Sequence, residues 1–170
     1  DLMAWNADAT RMPARMHAQY LRRLFLDDDL SRGRYPAGGK PVALSDLTLP
    51  TFMVGTLTDH VAPWRSVHKL HHLTTAEITF ALTTGGHNAG IVNPPGHPRR
   101  HHQILTRPAG GSYMAPDDWL AAAADVPGSW WPAWVQWLQA RSGAPVAPPH
   151  VGARGYKAIA DAPGSYVLEK

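Results

Sequence analysis

Residues 50–64 read Pro-Thr-Phe-Met-Val-Gly-Thr-Leu-Thr-Asp-His-Val-Ala-Pro-Trp, and residues 77–87 read Glu-Ile-Thr-Phe-Ala-Leu-Thr-Thr-Gly-Gly-His. Residues 51–54 are a short, mostly apolar run that stops at Gly55, with Asp59 in the loop beyond it. Residues 78–82 repeat the pattern, stop at Gly85-Gly86 and deliver His87. Short, continuously apolar runs joined by a helix-like connection predict neighbouring strands of a parallel sheet, buried on both faces. The expected fold class is therefore α/β, parallel strands with flanking helices. In such sheets the chemistry sits in loops at the carboxyl ends of the strands, where Asp59 and His87 both fall.

An acid followed by a histidine, each after its own strand, matches the last two members of the nucleophile–acid–histidine order of α/β-hydrolases. An imidazole that accepts a proton must be held in one tautomer, and a carboxylate bonded to its other nitrogen does this. Gly85-Gly86 permits the tight bend that brings the histidine round. Taken alone, Asp59 reads as a helix cap ahead of Pro63; paired with His87, it reads as the acid. His60 is expected to have a structural or substrate-lining role. The nucleophile is missing, because no Gly-x-Ser-x-Gly occurs and there is no cysteine. Ser112 follows Gly110-Gly111 but comes after the histidine and lacks the second flanking glycine, which argues against an elbow there. An acid and a base without a nucleophile point to a truncated enzyme or a noncatalytic remnant.

The totals set the bounds. The 170 residues suffice for one sizeable core, yet they read as a piece of something larger, with no initiator Met, no signal peptide and no membrane-spanning run. A net charge of +3 with 17% charged residues describes an ordinary soluble protein. The pI near 9.5 does not imply nucleic acid, because the basic residues are scattered and no binding motif accompanies them. The 16 prolines and 15 glycines predict long, fixed loops between few regular elements.

Around the central stretch, Pro13 opens an amphipathic helix carrying Met16, Tyr20, Leu21, Leu24 and Phe25, expected to stop near Asp27-Asp28-Asp29. Residues 34–44 predict a hairpin turning at Gly38-Gly39. Pro63 and Trp64 open a helix through about Leu73, and residues 88–107 read as irregular. Residues 118–124 predict a short helix capped by Asp117 or Asp118. Ser129 is expected to cap a further helix bearing Trp130, Trp131, Trp134, Trp137 and Leu138, whose stripe reads as packing against a core. Residues 1–140 form the expected catalytic portion, and 141–170 a Pro/Gly-rich linker and tail.

His68, His71 and His72 lie at helical spacing and could share a metal-binding face; with no carboxylate or thiol to complete a ligand set, a wet helix surface is the expectation, and no metal site is assigned. The run His97-Pro-Arg-Arg-His-His102 could attract phosphates but reads as a solvated loop.

Several motifs taken together resemble the poly(3-hydroxyalkanoate) synthases. They are Trp5-Asn6 with Asp8 and Thr10; Asp59-His60-Val61-Ala62-Pro63-Trp64; Gly86-His87-Asn88-Ala89-Gly90-Ile91-Val92-Asn93-Pro94-Pro95; and Gly128-Ser129-Trp130-Trp131-Pro132-Ala133-Trp134. The closing Ala162-Pro163-Gly164-Ser165-Tyr166-Val167 is similar to the end of the class I branch. The resemblance implies the carboxyl-terminal part of an α/β-hydrolase catalytic domain with a Cys-Asp-His triad, which polymerises (R)-3-hydroxyacyl-CoA and releases CoA. It implies Asp59 as the acid and His87 as the base, with the cysteine upstream and absent here, so that the segment alone is expected to be inactive. Gly86, Ala89 and Gly90 are expected to leave room for the acyl chain. No cofactor is expected, CoA being part of the substrate. The implied setting is cytoplasmic, at the surface of polyester granules, with a homodimer as the intact enzyme. A related esterase or polyester depolymerase, or a noncatalytic granule-binding module using the Trp-rich helix, are the competing assignments.

Overall fold

The computed structural model describes residues 11–161, 164 and 165. The expectations for residues 1–10 lie outside this set, as does most of the 162–167 motif. Residues 20–142 make one compact unit, and the described residues on either side of it belong to a second. In the second unit, the backbone of Ala153 and Tyr156 pairs as an isolated bridge.

The first helix, α1, spans Ala14–Tyr20 and passes into a π-helical turn at Leu21–Leu26, closed by the bond from the Asp27 N–H to the Arg22 carbonyl at 2.8 Å. It stops where the aspartates begin. Its apolar side is not packed, however: Met16, Phe25 and Leu26 are all exposed. Strands β1 (Tyr35–Ala37) and β2 (Lys40–Val42) form the expected hairpin. Gly38 and Gly39 both take positive φ, 57° and 78°, as a two-residue turn matched to strand twist requires.

The main sheet has four strands in the order β3 (Thr51–Thr56), β4 (Ile78–Thr83), β5 (His101–Arg107) and β6 (Ala124–Pro127). The first two are parallel, pairing Thr51 with Ile78 and Thr56 with Thr83. Strand β3 runs through Gly55 rather than stopping there, and the reason is local. A Cβ at Gly55 would sit 3.0 Å from the Phe80 ring and 3.2 Å from Trp64, so the missing side chain lets both close over the strand.

Every residue of β4 is buried. Its alternation divides the core. Ile78, Phe80 and Leu82 pack with Met53, Trp64, Trp119 and Ala123 on one face. On the other, Phe52 meets the rings of Trp130 at 6.2 Å and Trp137 at 5.7 Å. Trp137 belongs to α5 (Trp131–Gln139), and Trp130 immediately precedes it. Two tryptophans of the stripe thus pack against the sheet, while Trp134 stays 40% exposed.

Two expectations about this sheet need correction. It is mixed, because β5 and β6 run antiparallel. Residues 101–107, expected to be irregular, form β5. Its polar side chains conceal a strand because each finds a partner. His102 Nδ1 donates to the Gly128 carbonyl, His101 Nδ1 to Asp125, and Gln103 to the Leu120 carbonyl. Arg107 donates to the carbonyls of His71, Thr74 and Ala76.

The connection between β3 and β4 is not one helix but two short ones, α2 (Trp64–Val67) and α3 (Leu70–Leu73). The break turns His68 and His71 into the core, stacked with ring centroids 4.4 Å apart, instead of leaving them on a wet surface. Only His72 is exposed, lying flat against Tyr113. Among the described residues no cluster suited to a metal ion occurs. Likewise, α4 (Pro116–Ala122) is not capped by Asp117 or Asp118. Pro116 opens it, and Asp117 in its first turn pairs with Arg65 at 2.5 Å. No helix among the described residues is long and apolar enough to cross a membrane.

Neither ring nitrogen of His68, nor Nε2 of His71, has a hydrogen-bond partner among the described residues. Burial, reinforced by the neighbouring His68, Arg107 and His72, pushes His71 down to about 4 from an ordinary 6.5, and burial lowers His68 as well. A histidine depressed in the folded state contributes fully above its unfolded value, and that contribution is lost as pH falls toward the folded one. Urea unfolding should therefore show stability falling between pH 6.5 and 4 by on the order of 3 kcal/mol from His71. His71→Phe should flatten that part of the profile; superimposable profiles would refute the assignment.

Candidate active site

The parallel pairing of β3 and β4 continues past the strand ends. The N–H of Leu57 donates to the Thr83 carbonyl at 2.9 Å, and that of Thr58 to the Gly85 carbonyl at 3.1 Å. The two loops therefore leave the sheet already joined, one delivering Asp59 and the other His87. Gly85 sits at φ 117°, and a Cβ there would lie 2.9 Å from the Gly90 Cα, so glycine is required both for the turn and for the close approach.

Asp59 and His87 meet. His87 Nδ1 lies 2.9 Å from Asp59 Oδ2 and 3.2 Å from Oδ1. The carboxylate is surrounded by donors. Oδ1 accepts the backbone N–H groups of Val61 and Ala62, each at 2.8 Å, and Oδ2 accepts the Thr56 hydroxyl at 3.1 Å. Asp59 thus closes the turn ahead of α2 and holds the histidine with the same two oxygens. Its side chain is 6% exposed, whereas that of His87 is 47% exposed. The Ala62 N–H, helped by His87, Val61 and Thr56, holds the carboxyl well below the usual carboxylate range.

An ionised carboxylate only accepts, so a neutral His87 carries its proton on Nδ1 and its lone pair on Nε2. That is the form of a base: a fixed tautomer on an accessible ring. Neither Asp59 nor His87 lines the clefts formed around His71, Arg107 and Tyr113 or around Arg65, Lys69 and His72. The exposed member of the pair is His87.

The other expected residues fall into different places. His60 is exposed. Ala89 is exposed, and Gly86 has open space, its nearest neighbour to an added Cβ being Thr58 at 3.9 Å. Gly90 is buried, and a Cβ there would run into Thr56, the hydroxyl donor to Asp59, and come within 2.9 Å of the Gly86 carbonyl. Of the 97–102 run, His102 is buried and Arg100 donates to the Thr84 carbonyl at 3.0 Å, tying the run to the end of β4.

The residues missed by sequence reasoning are those behind the histidine loop. Trp130 Nε1 donates to the Gly90 carbonyl at 3.1 Å and Trp131 Nε1 to that of Ile91 at 3.0 Å. Ser129 Oγ donates to the Asn93 carbonyl and accepts the Trp131 N–H. Asn93 is itself buried and donates to Thr83 Oγ1.

No family model matches the chain. Among curated proteins it is 41% identical over 171 residues to the poly(3-hydroxyalkanoate) polymerase subunit PhaC of Rhizobium etli, covering all of this chain and 26% of that protein. It is 38% identical over 172 residues to the PhaC subunit of Cupriavidus necator and 40% identical over 172 residues to the poly(3-hydroxyalkanoate) polymerase of Methylorubrum extorquens. In both cases the match takes in the whole chain and 28% of the relative. The chain is homologous to one part of the poly(3-hydroxyalkanoate) polymerases. It spans little more than a quarter of the length of these polymerases.

The contrast between two glycines of the histidine loop is testable by denaturant unfolding. Gly90→Ala should lower stability by about 1–3 kcal/mol, because the methyl group has no space against Thr56. Gly86→Ala should change it by less than about 0.5 kcal/mol. Equal effects would contradict the packing described.

Proposed function

We propose that this chain supplies the acid and the base of an acyltransferase that polymerises (R)-3-hydroxyacyl-CoA into polyhydroxyalkanoate. The observation that carries the proposal is the contact of His87 Nδ1 with Asp59 at 2.9 Å, reached from two parallel-strand loops, in a chain homologous to the polymerases. The fold is then the carboxyl-terminal part of an α/β-hydrolase domain, and β3, at the end of the sheet order, would pair with a strand outside these residues. The nucleophile is a cysteine outside this chain, which has none.

In this scheme His87 Nε2 takes the thiol proton, and the resulting thiolate attacks the thioester carbonyl. The bond to the CoA sulfur breaks, CoA leaves as a thiol with that proton, and the acyl group remains on the enzyme sulfur. The hydroxyl of a second unit then attacks the acyl carbon. Its proton passes to His87, the new ester bond forms, and the enzyme thiolate is released and reprotonated. Asp59 is a poor candidate for either proton, because four donors already engage its oxygens and hold it ionised. Its work is to orient the imidazole and stabilise the imidazolium.

An esterase or depolymerase would use the same pair, and a serine in place of the cysteine would mark it. For a granule-binding module, Trp134 with Val135 and Leu138 offers an exposed apolar face, whereas Trp130 is buried. Isolated, the segment should be inactive for want of a nucleophile. The intact enzyme is expected to work in the cytoplasm at the granule surface as a homodimer, without a cofactor.

In the intact enzyme, His87→Ala should lower CoA release by several orders of magnitude, and Asp59→Asn should leave the fold intact while impairing turnover. Near-normal release by the His87 variant would overturn the proposal; normal kinetics for Asp59→Asn would reduce Asp59 to a turn-forming residue. Ala89→Leu should cut turnover of longer acyl chains more than shorter ones. Unchanged turnover at every length would remove Ala89 from the acyl path.

A further inference from the structure

The loop of residues 85–93 carries His87 yet belongs to no strand or helix. Its own backbone bonds close short overlapping turns, from the Gly90 N–H to the Gly86 carbonyl at 2.9 Å and from the Ile91 and Val92 N–H groups to the Asn88 carbonyl at 3.1 and 2.9 Å. The carbonyls of Gly90, Ile91 and Asn93 are instead met by donors from three consecutive residues, Ser129, Trp130 and Trp131. At Gly90 and Asn93, where the bonds are buried, such a grip is costly to leave unmade, since a buried carbonyl without its donor loses its share of solvation for nothing.

Trp130 is distinctive among the three. It is 6% exposed, and its ring stacks on Phe52 of β3 with an interplanar angle of 27°. Strand β3 leads to Asp59, and the Gly90 carbonyl belongs to the loop that carries His87. One rigid indole therefore spans the acid's strand and the base's loop. Gly90 in turn abuts Thr56, the hydroxyl donor to the Asp59 carboxylate.

We propose that Trp130 is a positioning residue for the reaction, setting the alignment of the His87 imidazole on Asp59 through the bond from its indole N–H to the Gly90 carbonyl. Its indole N–H bonds the Gly90 carbonyl and neither member of the pair, so it acts through the loop. The inference rests on His87 being the base.

The test uses the intact polymerase containing this chain. Trp130→Phe keeps a ring against Phe52 and removes the N–H. The folded variant should show kcat lowered roughly 10- to 100-fold with KM for the acyl-CoA within about twofold, because a misaligned base slows chemistry without weakening substrate binding. In an Asp59→Asn background, where alignment is already lost, the same substitution should cost less than about twofold. A wild-type kcat, a change confined to KM, or an equal cost in both backgrounds would overturn the inference. If Trp130→Phe does not fold, the benzothienylalanine analogue at position 130, which keeps the bicyclic ring and replaces the N–H by sulfur, should give the same loss confined to kcat, and its absence would overturn the inference equally. His87→Ala separates the two levels. Near-normal activity in that variant defeats the assignment of the base, whereas an inactive His87→Ala beside a normal Trp130→Phe defeats the positioning role alone.

Discussion

Two backbone hydrogen bonds, from Leu57 to Thr83 and from Thr58 to Gly85, hold the site together. They extend the β3–β4 ladder beyond the last paired residues, so the loops bearing Asp59 and His87 start from a common, fixed edge. The register of that ladder is in turn set by β4, buried along its entire length. A slip of one residue would turn Ile78, Phe80 and Leu82 away from Trp64 and Trp119 and exchange the two faces of the strand. Burial of an apolar strand thus determines where two polar side chains meet, and the core and the site are specified by the same interaction.

The electrostatics follow from that placement. Asp59 is nearly buried, but its oxygens are matched by backbone and hydroxyl donors, so its charge is retained rather than neutralised. That charge dictates which nitrogen of His87 carries the proton. Elsewhere the same sheet buries two histidines without such partners, and there the environment favours the neutral ring. One sequence holds imidazoles in opposite circumstances according to whether a carboxylate faces them.

The sequence made the central pair legible because continuous apolar strands ending in glycine-bearing loops have few other uses. The hairpin was equally readable from Gly38-Gly39. Strand β5 was not, since His101, His102, Gln103 and Arg107 look like solvated loop residues until their partners on other elements are known. His68 and His71 misled for a related reason: histidines without a ligand set read as solvated until the rings packed on them, Phe80 and Trp119, are known. The grip of Ser129, Trp130 and Trp131 on the histidine loop had no chance of being read. It joins side-chain donors to backbone carbonyls about 40 residues away, and such bonds leave no periodicity and no residue-type signature in the receiving loop.

The most direct test of the account is a crystal structure of the full-length protein, with the separation of His87 and Asp59 as the quantity measured. The account predicts Nδ1 within hydrogen-bonding distance of the carboxylate, Nε2 turned toward the nucleophile, and the Thr58 to Gly85 bond intact beneath them. An imidazole directed away from Asp59, with the carboxylate held by Thr56, Val61 and Ala62 alone, would contradict it.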